Sequence, residues 1–169
     1  MHSLLAVDER GEPLTRVITW ADLRSKPFAE ALKASEAGRR IYRQTGTPIN
    51  PMSPLCKLLW MKQQLPDVVG RAAKFISIKE YIWWRLFGKY QVDHSIASAT
   101  GLFDIYAVNW YRESLELAGI REDQLSQPVP GTHWESGPAA AWQLDGLPDG
   151  LPFIIGGSDG CLANLGCNA

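Results

Sequence analysis

The chain has 169 residues and a nearly balanced charge, with 17 basic and 18 acidic side chains. Its hydrophobic content of 46% and charged content of 21% are typical of a globular domain. The charge balance argues against general attraction to nucleic acid or an anionic membrane, and no apolar run is long enough to predict a membrane span. Three cysteines, an odd and sparse set, indicate a reducing, cytoplasmic compartment.

In chain order, the first predicted element is a β-hairpin. Residues 3–7 and 14–20 are rich in apolar and β-branched side chains, and the turn at 8–13 joins them. A domain rarely starts on a core strand. The beginning of the sequence therefore predicts that it is part of a longer domain.

Helices dominate the next part of the chain, where apolar residues recur at helical spacing. Gly38 is predicted to end or interrupt the first helical stretch, and a stiff proline loop at 47–54 precedes the strongest helix. That helix is predicted to keep Lys57 and Lys62 outside its apolar face. Ser136 is predicted to cap the last helix before the final strand. The predicted helices cover residues 27–37, 39–44, 55–64, 78–87, 94–98, 110–118 and 136–144, with short turns at 66–67 and 120–125.

Near the end of the chain, a strand runs into a glycine turn and then a helix. Residues 153–155 are predicted to be a short buried strand, and 161–166 a helix, with Asp159 between them. The glycines of the turn are Gly156, Gly157 and Gly160. Ligands of open α/β sheets lie beyond strand carboxyl ends, where glycines and a helix N-terminus admit a phosphate. Asp159 is therefore placed where a general base or a metal-linked carboxylate would be useful, unless Ser158 or Asp159 merely caps the helix.

A second group of candidate residues follows the predicted hairpin. Trp20, Asp22 and Arg24 offer the aromatic face, carboxylate and guanidinium that a polyol pocket uses. The alternative is a tryptophan at the core boundary beside a structural Asp–Arg pair. His2 lies just ahead of the first predicted strand, either at a sheet edge or as a terminal residue without a role. The remaining polar residues near helix ends, interpreted as caps or surface pairs, are Lys79, Asp93, His94 and Asp104.

Catalytic motifs of other classes are missing from the sequence. It contains no Walker-type glycine loop, no zinc motif and no Ser–His–Asp arrangement in a supporting context. We therefore predict no metal ligands. The alternation of short strands with helices, including strands at 74–77 and 90–92, predicts one α/β domain or part of one.

Short motifs are spread over nearly the whole chain. They are residues 1–4 (MHSL), 18–24 (ITWADLR), 42–46 (YRQTG), 57–60 (KLLW), 78–81 (IKEY), 86–88 (LFG), 93–104 (DHSIASATGLFD) and 156–160 (GGSDG). Each motif is weak by itself, but their order and spacing together resemble the FGGY carbohydrate kinases. The motifs at 1–4 and 93–101 are most similar to the gluconokinase branch of that family.

The resemblance implies an actin/ribonuclease-H-like α/β fold with two domains and an ATP cleft between them. It implies phosphorylation of a sugar or sugar acid, gluconate above all, with ATP and Mg²⁺. Asp159 would be the general base for the sugar hydroxyl, and Gly156, Gly157 and Gly160 would lie near the phosphates. The positions that match the sugar pocket or its surroundings are His2, Trp20, Asp22, Arg24 and Met52.

The chain departs from the family pattern in two respects. It lacks the N-terminal Asp-x-Gly-Thr hairpin for phosphate and magnesium, and it lacks a second, nucleotide-binding domain. We therefore expect residues 1–169 to be the second half of the N-terminal domain and to be inactive alone. The alternative is a non-catalytic remnant that at most binds a polyol. The expected partner is a small sugar acid or polyol, and a homo-oligomer is left open.

Overall fold

Short strands alternate with helices in the computed structural model, which describes residues 2–137, 148 and 150–167. The helices are α1 (Lys26–Ala34), α2 (Glu36–Thr45), α3 (Pro54–Gln64), α4 (Pro66–Arg71), α5 (Ile78–Phe87), α6 (His94–Ser98), α7 (Arg112–Ala118) and α8 (Asp159–Gly166). The strands are β1 (Leu5–Val7), β2 (Lys74–Ile76), β3 (Gln91–Asp93), β4 (Phe103–Asp104), β5 (Asn109–Trp110), β6 (Gln127–Val129), β7 (Trp134–Ser136) and β8 (Pro152–Ile154). This mixed content confirms the predicted α/β class.

The strands of the described residues pair two by two. β1 and β2 are antiparallel, as are β4 with β5 and β7 with β8. β3 and β6 are parallel, which requires a long crossover, and the segment containing α6 and α7 supplies it. The carboxyl end of β3 therefore leads directly into α6.

The predicted hairpin at the start of the chain is wrong in its second strand. Residues 14–20 form no strand and meet the first strand region only through isolated bridges such as Leu4 to Ile18. The hydroxyl of Thr15 accepts a hydrogen bond from the Ala6 N–H at 3.3 Å, so a side chain replaces a backbone partner of the ladder. β1 pairs with β2 along its other edge.

The first two helices are divided at Ser35, not at Gly38 as predicted. The Ser35 hydroxyl accepts from the Gly38 N–H at 3.0 Å and so caps α2. Gly38 lies inside α2, where an added Cβ would come within 2.0 Å of the Leu32 carbonyl oxygen. This glycine therefore permits a close approach between consecutive helices.

Helix α3 lies at the centre of the hydrophobic core. Its buried residues include Leu55, Leu58 and Met61, as predicted, and Lys62 is exposed. The prediction for Lys57 is wrong, because this lysine is only 1% exposed. Between its start and Met61, the helix carries apolar residues on all of its faces, a pattern typical of a fully buried helix.

Two predictions of helix starts are also wrong. Trp110 lies in β5, and α7 begins only at Arg112. Ser136 is the last residue of β7 and Gly137 has a positive φ of 68°, so no helix begins at Ser136, while the rest of the predicted helix, residues 138–144, lies outside the described residues. The strand near the chain end is less buried than predicted, since Ile154 is 65% exposed and only Ile155 is buried. No helix in the described ranges is long and apolar enough to cross a membrane.

Candidate active site

The turn between β8 and α8 presents one carboxylate to solvent. Ser158 is the N-cap of α8, and its hydroxyl accepts from the Cys161 N–H at 3.4 Å. Asp159 is the first residue of the helix, and it is exposed. Because Ser158 makes the cap, the Asp159 carboxylate is available for another role.

The same turn is anchored to the carboxyl end of β3. The Ser158 N–H donates to the Ser95 hydroxyl at 2.7 Å, and Ser95 in turn donates to the carboxylate of Asp93. Asp93 is fully buried and caps α6 by accepting from the Ser95 and Ile96 N–H groups. Lys79 on α5 completes the network with an ion pair of 2.5 Å to Asp93. The predicted cap at Asp93 is thus confirmed, and its carboxylate also forms a buried ion pair.

A small cleft opens beside Asp159. Its volume is about 200 Å³, a size suited to one small polar molecule rather than to a drug-sized ligand. Ser3, the start of α5 and the turn at 157–159 line it, with Lys79 and Asp159 as its charged residues. The cleft therefore combines a cation, hydroxyl groups and a solvent-exposed carboxylate.

His2 lies next to this cleft and offers an open hydrogen-bonding position. Within the described part of the chain, its buried Nδ1 has no hydrogen-bond partner. Burial lowers the pKa of His2, as do the positive charges of the chain's amino group and of Lys57, while a hydrogen bond with the Ala99 backbone and the negative charge of Asp159 act in the opposite direction. Asp159 is therefore close enough to influence the imidazole electrostatically. A neutral imidazole with an unpartnered buried nitrogen is suited to a ligand hydroxyl.

Lys57 connects the two stretches of chain that carry the candidate sugar ligands. Its ammonium donates to the carbonyl oxygen of His2 and, at 3.5 Å, to that of Ile18. Burial lowers the pKa of Lys57 to about 8, and the nearby Asp22 carboxylate partly offsets this. Lys57 thus holds the backbone at His2 close to the segment that leads into Trp20.

The second candidate group forms a surface beside this lysine. Asp22 and Arg24 pair at 2.6 Å, and the hydrogen bonds from Arg24 lower the pKa of Asp22. The Arg24 guanidinium also lies 4.1 Å from the ring centre of Trp60, so the pair is fixed in place. Trp20 is 63% exposed, which leaves its indole face accessible rather than part of the core.

Met52 is half-buried in the proline loop before α3. The Ser25 hydroxyl donates to the Pro51 carbonyl oxygen at 2.8 Å. This bond ties the loop to the segment that follows Arg24. The structure therefore brings the Met52 loop and the Trp20–Arg24 segment together.

The described residues contain no ready-made cluster of metal-binding side chains. Among them, no group of three or more His, Cys, Asp or Glu side chains could hold a metal ion. The N-terminus of α8 already carries the negative charge of Asp159, which opposes a phosphate at that position. We therefore derive no step through a metal, and the roles of Gly156, Gly157 and Gly160 near phosphates stay predictions.

Sequence reasoning missed the roles of Lys57 and Ser95, and it predicted a surface pair for Lys79 where the partner is the buried Asp93. Lys57 could have been found from the apolar surroundings of α3, since a charged residue in an all-apolar helix must find polar partners inside the protein. Ser95 and Ser158 are 63 residues apart. No local pattern of spacing indicates such a contact.

Comparisons with known proteins place the whole chain beside carbohydrate kinases. Residues 1–166 match the N-terminal domain of the FGGY family of carbohydrate kinases. A gluconokinase from Bacillus subtilis is 46% identical over 171 residues, covering 100% of this chain and 33% of that protein. An autoinducer-2 kinase from Salmonella choleraesuis is 35% identical, covering 98% of this chain and 31% of its own length. The crystal structure of gluconate kinase from Lactobacillus acidophilus matches with a TM-score of 0.95 and 36% identity, over 100% of this chain and 35% of that one.

Proposed function

The chain belongs to the FGGY family of carbohydrate kinases, and we propose that it forms the sugar-binding side of an ATP-dependent gluconokinase. Its α/β fold is the actin/ribonuclease-H-like fold of that family. The chain spans about a third of the length of the relatives that it matches. In this proposal it is part of the N-terminal domain of a larger cytoplasmic enzyme, whose other parts bind the nucleotide.

The observation that carries the proposal is the exposed carboxylate of Asp159 beside a small cleft that also contains Lys79 and serine hydroxyls. A phosphoryl transfer to a sugar needs a group that accepts the hydroxyl proton and orients the attacking oxygen. The sugar oxygen forms a bond to the γ-phosphorus of ATP, the bond to the leaving ADP oxygen breaks, and the proton passes to Asp159. ATP with Mg²⁺ would supply the phosphoryl group and neutralise its charge.

The other candidate residues suit the recognition of a polyhydroxylated substrate. The unpartnered Nδ1 of His2 and the Asp22–Arg24 pair offer hydrogen bonds to hydroxyl and carboxylate groups. The exposed face of Trp20 is suited to the C–H surface of a sugar, and the half-buried Met52 borders the same side. The gluconokinase relatives at 46% identity favour gluconate over other sugars.

Replacing Asp159 tests the proposal directly. The assay uses a full-length enzyme in which residues 1–169 replace the matching third of the Bacillus subtilis gluconokinase. Asp159→Asn keeps the size of the side chain but removes the proton acceptor, so we expect kcat to fall by about 10²- to 10⁴-fold. The dissociation constant for gluconate should change only a few-fold.

A matched control is available on another helix. Asp67 is also an exposed carboxylate in the first turn of a short helix, α4, and it does not line the cleft. Asp67→Asn should leave kcat unchanged. An Asp159→Asn enzyme with normal turnover would refute the base assignment. An unmutated chimera that binds gluconate but does not phosphorylate it would favour the non-catalytic alternative.

A further inference from the structure

Among the described residues, few interactions hold the turn that carries Asp159 in place. Every residue of α8 from Asp159 to Gly166 is exposed, so core packing does not fix the start of this helix. The turn is held at its beginning by the Gly156 N–H, which donates to the Gly131 carbonyl oxygen at 3.1 Å. At its end it is held by the Ser158 N–H, which donates to the Ser95 hydroxyl at 2.7 Å.

The orientation of the Ser95 hydroxyl is dictated by its surroundings. Its proton is directed to the buried carboxylate of Asp93, and a carboxylate paired with a lysine can accept hydrogen bonds but cannot donate one. The oxygen lone pairs of Ser95 therefore face the turn and accept from Ser158. The Asp93 carboxylate is itself fixed by the Ile96 N–H at 3.1 Å and by Lys79 at 2.5 Å.

The approach of the turn to Ser95 is close as well as polar. A Cβ added at Gly157 would lie 3.2 Å from the Ser95 oxygen, tighter than ordinary van der Waals contact. Glycine at this position lets the backbone lie against the hydroxyl. The backbone of the turn therefore packs closely against the Ser95 side chain.

We propose that Ser95 is a positioning residue for Asp159. This inference rests on the proposed function, in which Asp159 accepts the proton of the sugar hydroxyl. Ser95 does not touch the substrate. Its hydroxyl links the rigid end of β3 to the turn, and so fixes the Asp159 carboxylate relative to a sugar bound in the cleft. A misplacement of about 1 Å can lower the rate of such a reaction on the order of 10²-fold.

The test compares two substitutions of Ser95 in the full-length chimeric enzyme. Ser95→Ala removes the link, and we expect kcat to fall about 10- to 100-fold while KM for gluconate stays within about threefold. Amide hydrogen exchange of residues 156–162 should become at least about tenfold faster, because the turn opens more often. Ser95→Thr keeps the hydroxyl and should restore both quantities to near the original values.

The matched control is Ser98→Ala on the same short helix. The Ser98 hydroxyl donates to the Ser95 carbonyl oxygen at 3.0 Å and makes no bond to the turn. It should change neither kcat nor exchange at 156–162. Ser95→Ala with unchanged kcat and exchange would overturn the inference, as would Ser95→Thr that is as slow as Ser95→Ala.

The two proposals can fail separately. If Asp159→Asn is inactive while Ser95→Ala is normal in both measurements, the base assignment stands and the role of Ser95 is refuted. If Ser95→Ala loosens the turn but Asp159→Asn keeps full turnover, the link between Ser95 and the turn is real. In that case Asp159 is not the base, and the proposal that Ser95 positions a base is overturned with it.

Discussion

At the scale of single residues, Lys57 is a cation buried against backbone carbonyls. Burial lowers its pKa from 10.5 to about 8, whereas the unfolded chain keeps the ordinary value. Between these two pH values the unfolded state binds more protons than the folded state, so the free energy of unfolding rises with pH. The cost of burying the charge is therefore fully present below about pH 8 and is relieved toward pH 10.5.

Lys57→Met should remove this pH dependence. Between pH 8 and 10.5, we expect the original protein to gain up to about 3 kcal/mol of stability relative to the variant. Urea unfolding at a series of pH values measures the difference. Lys62→Met, at an exposed lysine of the same helix, controls for the loss of one positive charge. If the stability difference between Lys57→Met and the original protein does not vary with pH, the conclusion that burial destabilises the charged form of Lys57 is wrong.

The roles of individual residues could be predicted from the sequence where they depend on residues close together in the chain. The strand, the glycines and the carboxylate of the Asp159 turn are consecutive in the chain, so their arrangement followed from spacing alone. The Asp22–Arg24 pair was likewise one of two stated alternatives. Lys57 and Ser95 act on residues 55 and 63 positions away. Such contacts depend on how the whole domain folds, and helical spacing does not contain them.

At the scale of elements, the junction of α1 and α2 leads to a pair of opposite expectations. Gly38→Ala would place a Cβ within 2.0 Å of the Leu32 carbonyl oxygen, and a backbone atom cannot move aside cheaply. We expect a loss of about 1–3 kcal/mol in the free energy of unfolding. Gly70→Ala in α4 has no atom within 4 Å, so the better helix propensity of alanine should stabilise by up to about 1 kcal/mol.

Urea denaturation of both variants measures these two effects. The opposite signs separate the steric effect at Gly38 from the general effect of replacing a helical glycine. If Gly38→Ala were as stable as Gly70→Ala, the close approach of α1 and α2 would be refuted.

Most helices were predicted to within one or two residues, because apolar spacing and caps are local. The capping box of Ser77 and Glu80 starts α5 where expected, and Gly88 ends it in a left-handed conformation. The predicted second strand failed because the Thr15 side chain takes a backbone partner from β1. Strand pairing is a choice among distant segments, and the pairing of β1 with β2 is not contained in any local pattern.

At the scale of the whole molecule, large apolar side chains are exposed on the last elements of the described chain. Trp134 on β7 is 57% exposed, Ile154 on β8 is 65% exposed, and Leu165 on α8 is 76% exposed. Exposed apolar surface on neighbouring elements indicates contacts with other protein. The Asp159 turn joins β8 to α8. The candidate site and these exposed apolar side chains therefore lie in the same C-terminal part of the described chain.

The last prediction concerns residues 1–169 tested alone. Alignment of the reactants and stabilisation of charge are most of the catalysis in phosphoryl transfer, and this chain spans about a third of its relatives. Asp159 is exposed to solvent, so the described residues do not enclose the site from water. We expect no gluconate-dependent ADP release in a coupled assay with ATP and Mg²⁺, beside a full-length gluconokinase as the positive control. Light scattering should show self-association through the exposed apolar residues. Turnover close to that of the full-length enzyme would show that the 169 residues already contain the catalytic parts that we assign to the rest of the kinase.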